Sequence, residues 1–206
     1  EPIYGLVALG LVHPKRVKRN ADAKVGDRLV LGKPIGVGVL SAALKKDQLG
    51  AEGYAQMIAN TTQLNTPGPD LAALDGVHAL TDITGFGLAG HAMEMARGAN
   101  TTVRIEMARV PLIGGVRELA AAGMVTGASG RNWAAYGHEV RLASTLQPVD
   151  QALLSDPQTS GGLLVACAPE AVDAVLAVFE KHGFAGAADI GEIVAPAAEG
   201  VRLEVI

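Results

Sequence analysis

The apolar residues of this chain occur in short runs, because glycine, proline or a charged residue interrupts each of them. No run approaches the roughly 18 to 20 residues that a membrane-spanning helix needs. Apolar residues nevertheless make up 49% of the 206 positions and charged residues 18%, a balance that disordered chains do not have. The sequence therefore predicts a soluble α/β or α+β globule with a substantial core and no membrane contact.

Charge and cysteine content narrow the functional classes. The formal net charge is −4, and there are only one Trp, three Tyr and three Phe, which disfavours a nucleic-acid-binding surface. The single cysteine, Cys167, excludes an intrachain disulfide and a zinc cluster of several cysteines. We therefore expect a cytoplasmic protein with no nucleic-acid partner.

The first residues resemble the interior of a domain. Glu1 leads directly into the apolar segment 3–12, and the pattern of a signal peptide is missing. This segment predicts a buried strand, and the basic run 13–19 predicts a solvated turn. We expect residues 1–22 to be the remnant of a preceding domain with its linker, and residues 23–206 to form one domain.

Hydrophobic periodicity predicts short strands and amphipathic helices from residue 27 onward. Strands are expected at 27–31, 77–81, 102–107, 162–168, 190–194 and 201–206. Helices are expected at 38–46, 52–64, 87–97, 114–122 and 169–182. The polar stretches 65–70 and 126–138 are expected to be irregular.

A first motif, DITGFG at residues 82–87, stands where a predicted strand ends and a predicted helix begins. A carboxylate such as Asp82 is the ligand type that Mg²⁺ prefers, and the glycines would let a phosphate approach the backbone. The alternative is an aspartate that caps the helix, with the glycines forming the turn. The residues alone do not separate these two interpretations.

A second motif, SDPQTSGG at residues 155–162, has no large apolar side chain and leads into a predicted strand. Five of its side chains can hydrogen-bond to backbone or to a ligand. An ordinary capped turn has the same composition and is the simpler interpretation. Other candidates are weaker: Lys33 and Arg131 are expected to be solvated, His91 to form hydrogen bonds on a helix, and Cys167 to be buried and inert.

The two motifs resemble the signatures of the selenophosphate synthetase family, the selenide, water dikinases. The matching segments are DITGFGLAGH at 82–91 and SDPQTSGGLL at 155–164, supported by further stretches at 1–5, 13–17, 32–40 and 130–138. Relatives in the same ATP-binding superfamily have a different sequence after the corresponding aspartate. The resemblance covers essentially the whole chain to residue 194.

This resemblance implies a fold and a reaction. The fold is α+β, an aminoimidazole ribonucleotide synthetase-like C-terminal domain with a mostly antiparallel mixed sheet flanked by helices, preceded by a remnant strand of the N-terminal domain. The reaction converts ATP, selenide and water into selenophosphate, AMP and phosphate with Mg²⁺. The full-length protein is expected to be a homodimer that binds ATP between its domains.

The resemblance also assigns site residues. The family's nucleophilic Cys or selenocysteine, its catalytic Lys and two metal-binding aspartates belong to segments upstream of Glu1, so no catalytic residue is expected in this chain and the chain alone is expected to be inactive. Asp82 corresponds to a family metal ligand. The residues expected to face the nucleotide are Thr84, Gly85, Asp156, Thr159 and Ser160.

Two other functions are compatible with the sequence. The chain could be a truncated, non-catalytic paralogue that binds or regulates a partner. It could also be a superfamily kinase for a different small molecule, although the form of both motifs disfavours this.

Overall fold

The structure, a computed structural model, describes residues 5, 7 and 9–206. The predicted strand at 3–12 falls partly on positions outside the described residues, namely 1–4, 6 and 8. At residues 9–12 the chain forms no strand, and the side chains of Leu9 and Leu11 are almost fully exposed. The expected remnant strand is therefore not present at these four positions.

The described residues contain strands and helices in mixed order, followed here along the chain. They are β1 (Arg28–Leu31), α1 (Val37–Lys45), α2 (Ala51–Thr62), α3 (Gly68–Ala73), β2 (Val77–Asp82), α4 (Gly87–Ala99), β3 (Thr102–Ile105), α5 (Val116–Ala121), α6 (Gly127–Tyr136), β4 (Val140–Leu142), α7 (Pro148–Leu154), β5 (Leu163–Cys167), α8 (Val172–Lys181), β6 (Ala188–Val194) and β7 (Leu203–Val205). Among these residues, no helix is long and apolar enough to cross a bilayer.

All of these strands join one seven-stranded sheet in the order β2-β5-β1-β6-β3-β7-β4. The pairs from β2 through β3 are antiparallel, whereas β7 runs parallel to both of its neighbours, β3 and β4. This is the mostly antiparallel mixed sheet that the resemblance implies, and that expectation is confirmed.

The alternation of side chains along the strands divides the core into two layers. Leu29 and Leu31 of β1 belong to the larger layer, which contains apolar side chains of α1, α2, α4, α5, α6 and α7. Val30 points to the opposite face and belongs to the smaller layer with Leu71 of α3 and Phe179 of α8. The helices thus cover both faces of the sheet.

Two stretches that were expected to be irregular contain helices. Residues 126–138 hold α6, whose first turn is capped because the Thr126 hydroxyl accepts a hydrogen bond from the Ser129 N–H at 3.1 Å. Residues 65–70 include the start of α3. Strand β4 and helix α7, three and seven residues long, were also not predicted from the sequence.

Candidate functional site

The two motifs lie side by side because β2 and β5 are neighbouring antiparallel strands. Asp82, the last residue of β2, is paired with Leu163, the first residue of β5. Beyond the strands, the Ile83 N–H donates to the Gly162 carbonyl at 2.9 Å. The Gln158 N–H donates to the Thr84 carbonyl at 3.0 Å. Segments that are more than 70 residues apart in the sequence therefore form one paired-loop structure at this end of the sheet.

Glycines allow the two loops to approach so closely. A Cβ atom on Gly161 would overlap the carbonyl oxygen of Ile83, so a side chain has no room there. Gly87 has a φ of +73°, and a Cβ atom there would lie 2.8 Å from the carbonyl oxygen of Leu154. Gly161 and Gly87 are thus required by packing between the loops, whereas a Cβ atom on Gly85 would meet open space.

Side chains of helix α6 donate hydrogen bonds to both loops. The Asn132 Nδ2 donates to the Gly85 carbonyl at 2.8 Å and to the Ser155 carbonyl at 3.1 Å, so one side chain bridges the two motifs. The Tyr136 hydroxyl donates to the Phe86 carbonyl at 2.7 Å. The sequence predicts an irregular stretch around Asn132, and no local pattern indicates this contact.

The exposed motif residues of the paired loops form an outer edge, which we call the rim. Asp82, Gly85, Thr159 and Ser160 are all exposed. The Asp82 carboxylate makes no hydrogen bond or ion pair with the described residues, and the N-cap position of α4 is Phe86 without a side-chain cap. The alternative in which Asp82 caps this helix is therefore not what the structure contains.

The hydroxyl of Thr84 belongs to a chain of three side chains that extends into α4. The Thr84 Oγ1 lies 3.0 Å from the His91 Nε2, and the His91 Nδ1 lies 3.0 Å from the Glu94 Oε2. A carboxylate only accepts hydrogen bonds, so the His91 Nδ1 carries the proton of this contact. His91, as expected, forms hydrogen bonds within this part of the fold, and it orients the Thr84 side chain.

Asp156 and Gln158 of the second motif point inward to the start of α1. The Asp156 Oδ2 accepts from the Gly38 N–H at 2.9 Å, and the Gln158 Oε1 accepts from the Gly36 and Val37 N–H groups at 3.1 and 3.2 Å. Asp156 is completely buried, and this burial raises its pKa to about 7. Its predicted contact with a nucleotide is untested, but from this position the carboxyl can influence a ligand only through the backbone that it holds.

Lys33, which was expected to be solvated, is 1% exposed. Its ammonium donates to the carbonyls of Asn60, Gln63 and Ser160 at 3.1, 2.6 and 2.7 Å. Burial lowers the pKa of this group. The expectation was wrong because no pattern in the sequence indicates that the end of α2 supplies two acceptors beside the β1 strand end.

The remaining candidates lie outside the paired loops or take no part in them. Cys167 is fully buried on β5, and burial raises its pKa to about 12, as expected for an inert thiol. Arg131 is exposed, as expected. Within the described part of the chain, no cluster of three or more His, Cys, Asp or Glu side chains could hold a metal ion.

The chain is similar to a known protein family and to several curated proteins. Residues 24–204 match the family described as AIR synthase related protein, C-terminal domain. A selenide, water dikinase from Burkholderia ambifaria is 71% identical over 194 residues, which is 94% of this chain and 55% of that protein. A selenide, water dikinase from Paraburkholderia xenovorans is 63% identical over all 206 residues and 57% of its own length. The chain thus spans about half the length of the curated relatives that it matches.

Solved structures share the fold at low sequence identity. A thiamine-monophosphate kinase from Stenotrophomonas maltophilia superposes with a TM-score of 0.69 at 17% identity, over 94% of this chain and 54% of that one. Escherichia coli HypE, a hydrogenase maturation protein, gives 0.62 at 21% identity, over 90% and 51%. At these identities the likeness concerns the fold alone.

Proposed function

Because the chain belongs to the family of AIR synthase-related C-terminal domains and is 71% identical to a selenide, water dikinase, we propose that it is the C-terminal part of an ATP-dependent selenophosphate synthetase. The proposed reaction converts ATP, selenide and water into selenophosphate, AMP and phosphate. The single observation that carries the assignment of the site is the exposed, unpartnered carboxylate of Asp82 beside the second motif.

Asp82 fits the role of one Mg²⁺ ligand and no more. A carboxylate oxygen is a preferred donor for this ion, and Mg²⁺ in such enzymes is commonly held by one or two carboxylates together with substrate phosphates. The described residues contain no cluster of three or more candidate ligands. We therefore propose that the other carboxylates come from the part of the relatives that this chain does not span, and that the bound ion neutralises phosphate charge.

The nucleotide is proposed to lie over the rim of the paired loops. Thr159 and Ser160 are exposed there with hydroxyl groups that can donate to phosphate oxygens, and Gly85 presents exposed backbone. Thr84 is partly buried and is oriented by His91. Asp156 is proposed to act indirectly, by holding this loop against α1.

The catalytic groups are proposed to reside in the other half of the protein. Phosphoryl transfer depends mainly on positioning and charge neutralisation, and one carboxylate cannot supply both. We propose that this half provides the nucleophile and the lysine, that the whole protein is a homodimer and that it acts in the cytoplasm. The chain by itself is then inactive.

Replacement of Asp82 in the full-length protein tests the assignment. We expect Asp82→Ala to abolish selenide-dependent AMP formation, because the proposed metal loses a ligand that no neighbouring side chain can replace. Asp75→Ala is the matched control, since Asp75 is also exposed and lies just before the opposite end of β2. Initial rates of AMP release with ATP, Mg²⁺ and selenide give the comparison.

The same assay discriminates the proposal from its competitors. Turnover of Asp82→Ala at the wild-type rate would exclude Asp82 as a metal ligand. A wild-type protein that consumes ATP only with another acceptor would instead indicate a superfamily kinase with a different substrate.

A further inference from the structure

Lys33 connects three separate segments of the chain through its ammonium group. It follows β1, and its Nζ bonds to carbonyls that are 27, 30 and 127 positions away in sequence. Two of these carbonyls, those of Asn60 and Gln63, belong to the last turn and the C-cap of α2. The third belongs to Ser160, at the exposed tip of the second motif.

The electrostatics of this arrangement differ from those of an ordinary buried lysine. No ion pair with a carboxylate is present for Lys33 in the described part of the chain, so its charge is balanced by dipoles alone. An ammonium has three N–H donors, and here each of them has a carbonyl acceptor. The negative end of the α2 dipole adds a favourable contribution at this position. A buried cation that is satisfied in this way holds its acceptors strongly, because losing one leaves a charge partly unpaired.

The acceptor on Ser160 lies in a turn with a demanding backbone. Ser160 has a φ of +54°, a region that a non-glycine residue enters only at a cost in free energy. The following residue is also held, because the Asn65 Nδ2 donates to the Gly161 carbonyl at 2.9 Å. Gly162 then packs directly on the backbone of Lys33, where a Cβ atom would overlap it. Contacts with Lys33 and Asn65 thus fix the backbone of the turn 159–162, while its side chains at 159 and 160 face solvent.

We propose that Lys33 is a positioning residue for nucleotide binding: its ammonium holds the Ser160 carbonyl and thereby fixes the two exposed hydroxyls of Thr159 and Ser160 beside the Asp82 loop. This inference rests on the proposed function, in which those hydroxyls meet the phosphates of ATP. Lys33 does not touch the ligand. It pre-organises a turn that would otherwise have to be ordered when the nucleotide binds.

The test compares Lys33→Met with Lys45→Met in the full-length protein. Methionine keeps the apolar length of the side chain and removes the charge, whereas Lys45 is exposed on α1 and serves as the matched control. We expect Lys33→Met to weaken ATP·Mg²⁺ binding in calorimetry by roughly tenfold and to raise the KM for ATP similarly, with the KM for selenide unchanged. Amide hydrogen exchange at 160–162 should become faster, and Lys45→Met should behave as the wild type.

A second variant, Asn65→Ala, tests the proposal if Lys33→Met does not fold. Asn65→Ala releases the Gly161 carbonyl from the partly exposed side of the turn without leaving a buried charge unsatisfied. It should weaken ATP·Mg²⁺ binding in the same direction and by a smaller factor. Unchanged ATP affinity in a folded Lys33→Met protein, or in Asn65→Ala where Lys33→Met does not fold, would overturn the proposal and leave Lys33 with a purely structural role.

The measurements also separate this inference from the proposed function. If Lys33→Met loses ATP affinity and the wild-type protein forms no AMP with selenide, the proposed reaction is wrong and the role of Lys33 is retained. A full-length wild type that binds no ATP would overturn both.

Discussion

Asp156 couples the stability of this protein to pH at the scale of a single residue. Burial raises the pKa of its carboxyl from an ordinary value of 3.8 to about 7, so the folded protein keeps a proton that the unfolded chain releases. Between these two values the native state binds more protons than the unfolded state, and the stability contribution of this group therefore decreases as pH rises from about 4 to about 7.

We expect Asp156→Asn to remove that slope, because the amide does not titrate. Urea unfolding of both proteins at several pH values across this range measures the difference, whose upper limit is about 1.4 kcal/mol per pH unit for one proton. Asp75→Asn, at an exposed position, is the control for the loss of one carboxylate at the surface. Parallel stability curves for the wild type and Asp156→Asn would contradict this account.

Residue types alone indicated where the chemistry could lie but not how each side chain is used. The motifs at 82–87 and 155–162 were recognisable because such polar, glycine-rich segments follow or precede strands. In the structure, Asp82 is exposed whereas Asp156 is buried, although both are aspartates in glycine-rich loops. The difference arises because α1 begins next to Asp156 and presents its free N–H groups there, a tertiary relation that no local pattern encodes.

At the scale of secondary-structure elements, α6 forms hydrogen bonds with both motif loops. The Asn132 side chain contacts the carbonyls of both Gly85 and Ser155, so we expect Asn132→Ala to loosen both loops together. Loss of the two hydrogen bonds should lower the free energy of unfolding by about 1–3 kcal/mol. Amide hydrogen exchange should increase at 83–87 and at 155–159.

Arg131→Ala provides the comparison on the same helix, since Arg131 is exposed and neighbours Asn132. It should leave stability and exchange unchanged. Faster exchange in only one of the two loops of Asn132→Ala would show that Asn132 does not stabilise both loops.

The sequence predicted most strands and the helices with clear periodicity, but it did not predict α3, α6, α7 or β4. Helices α2, α4 and α8 were located because their apolar residues recur over ten or more positions. Helix α6 has few apolar residues and two glycines, so its periodicity was too weak, although Thr126 is an N-cap signal that could have found it. The Gln147–Asp150 capping box with Pro148 at the first turn marks α7 in the same way.

At the scale of the whole molecule, the order of strands decides which residues meet. Strands β2 and β5 are neighbours although two other strands separate them along the chain, and this pairing brings the two motifs together. Sequence patterns predict strands but not their order, because pairing depends on contacts between distant segments. The mixed sheet itself was predicted through a family resemblance, whereas the relative position of the two motifs within it required the structure.

The proposed division of the active site between this chain and another part of a longer protein leads to a prediction about binding. The described residues offer one free carboxylate at the rim and no cluster of three metal-ligating groups, while the chain spans 55–57% of the length of its dikinase relatives. Without the other carboxylates, Asp82 would be the one carboxylate available to the proposed Mg²⁺ site, and its repulsion with the nucleotide phosphates would oppose binding. We therefore expect the 206-residue chain alone to bind ATP·Mg²⁺ no tighter than about millimolar in calorimetry. Addition of the separately produced N-terminal half of a dikinase relative should restore micromolar binding, and Asp82→Ala should prevent that restoration. Micromolar binding by the isolated chain would mean that this half carries a nucleotide site of its own.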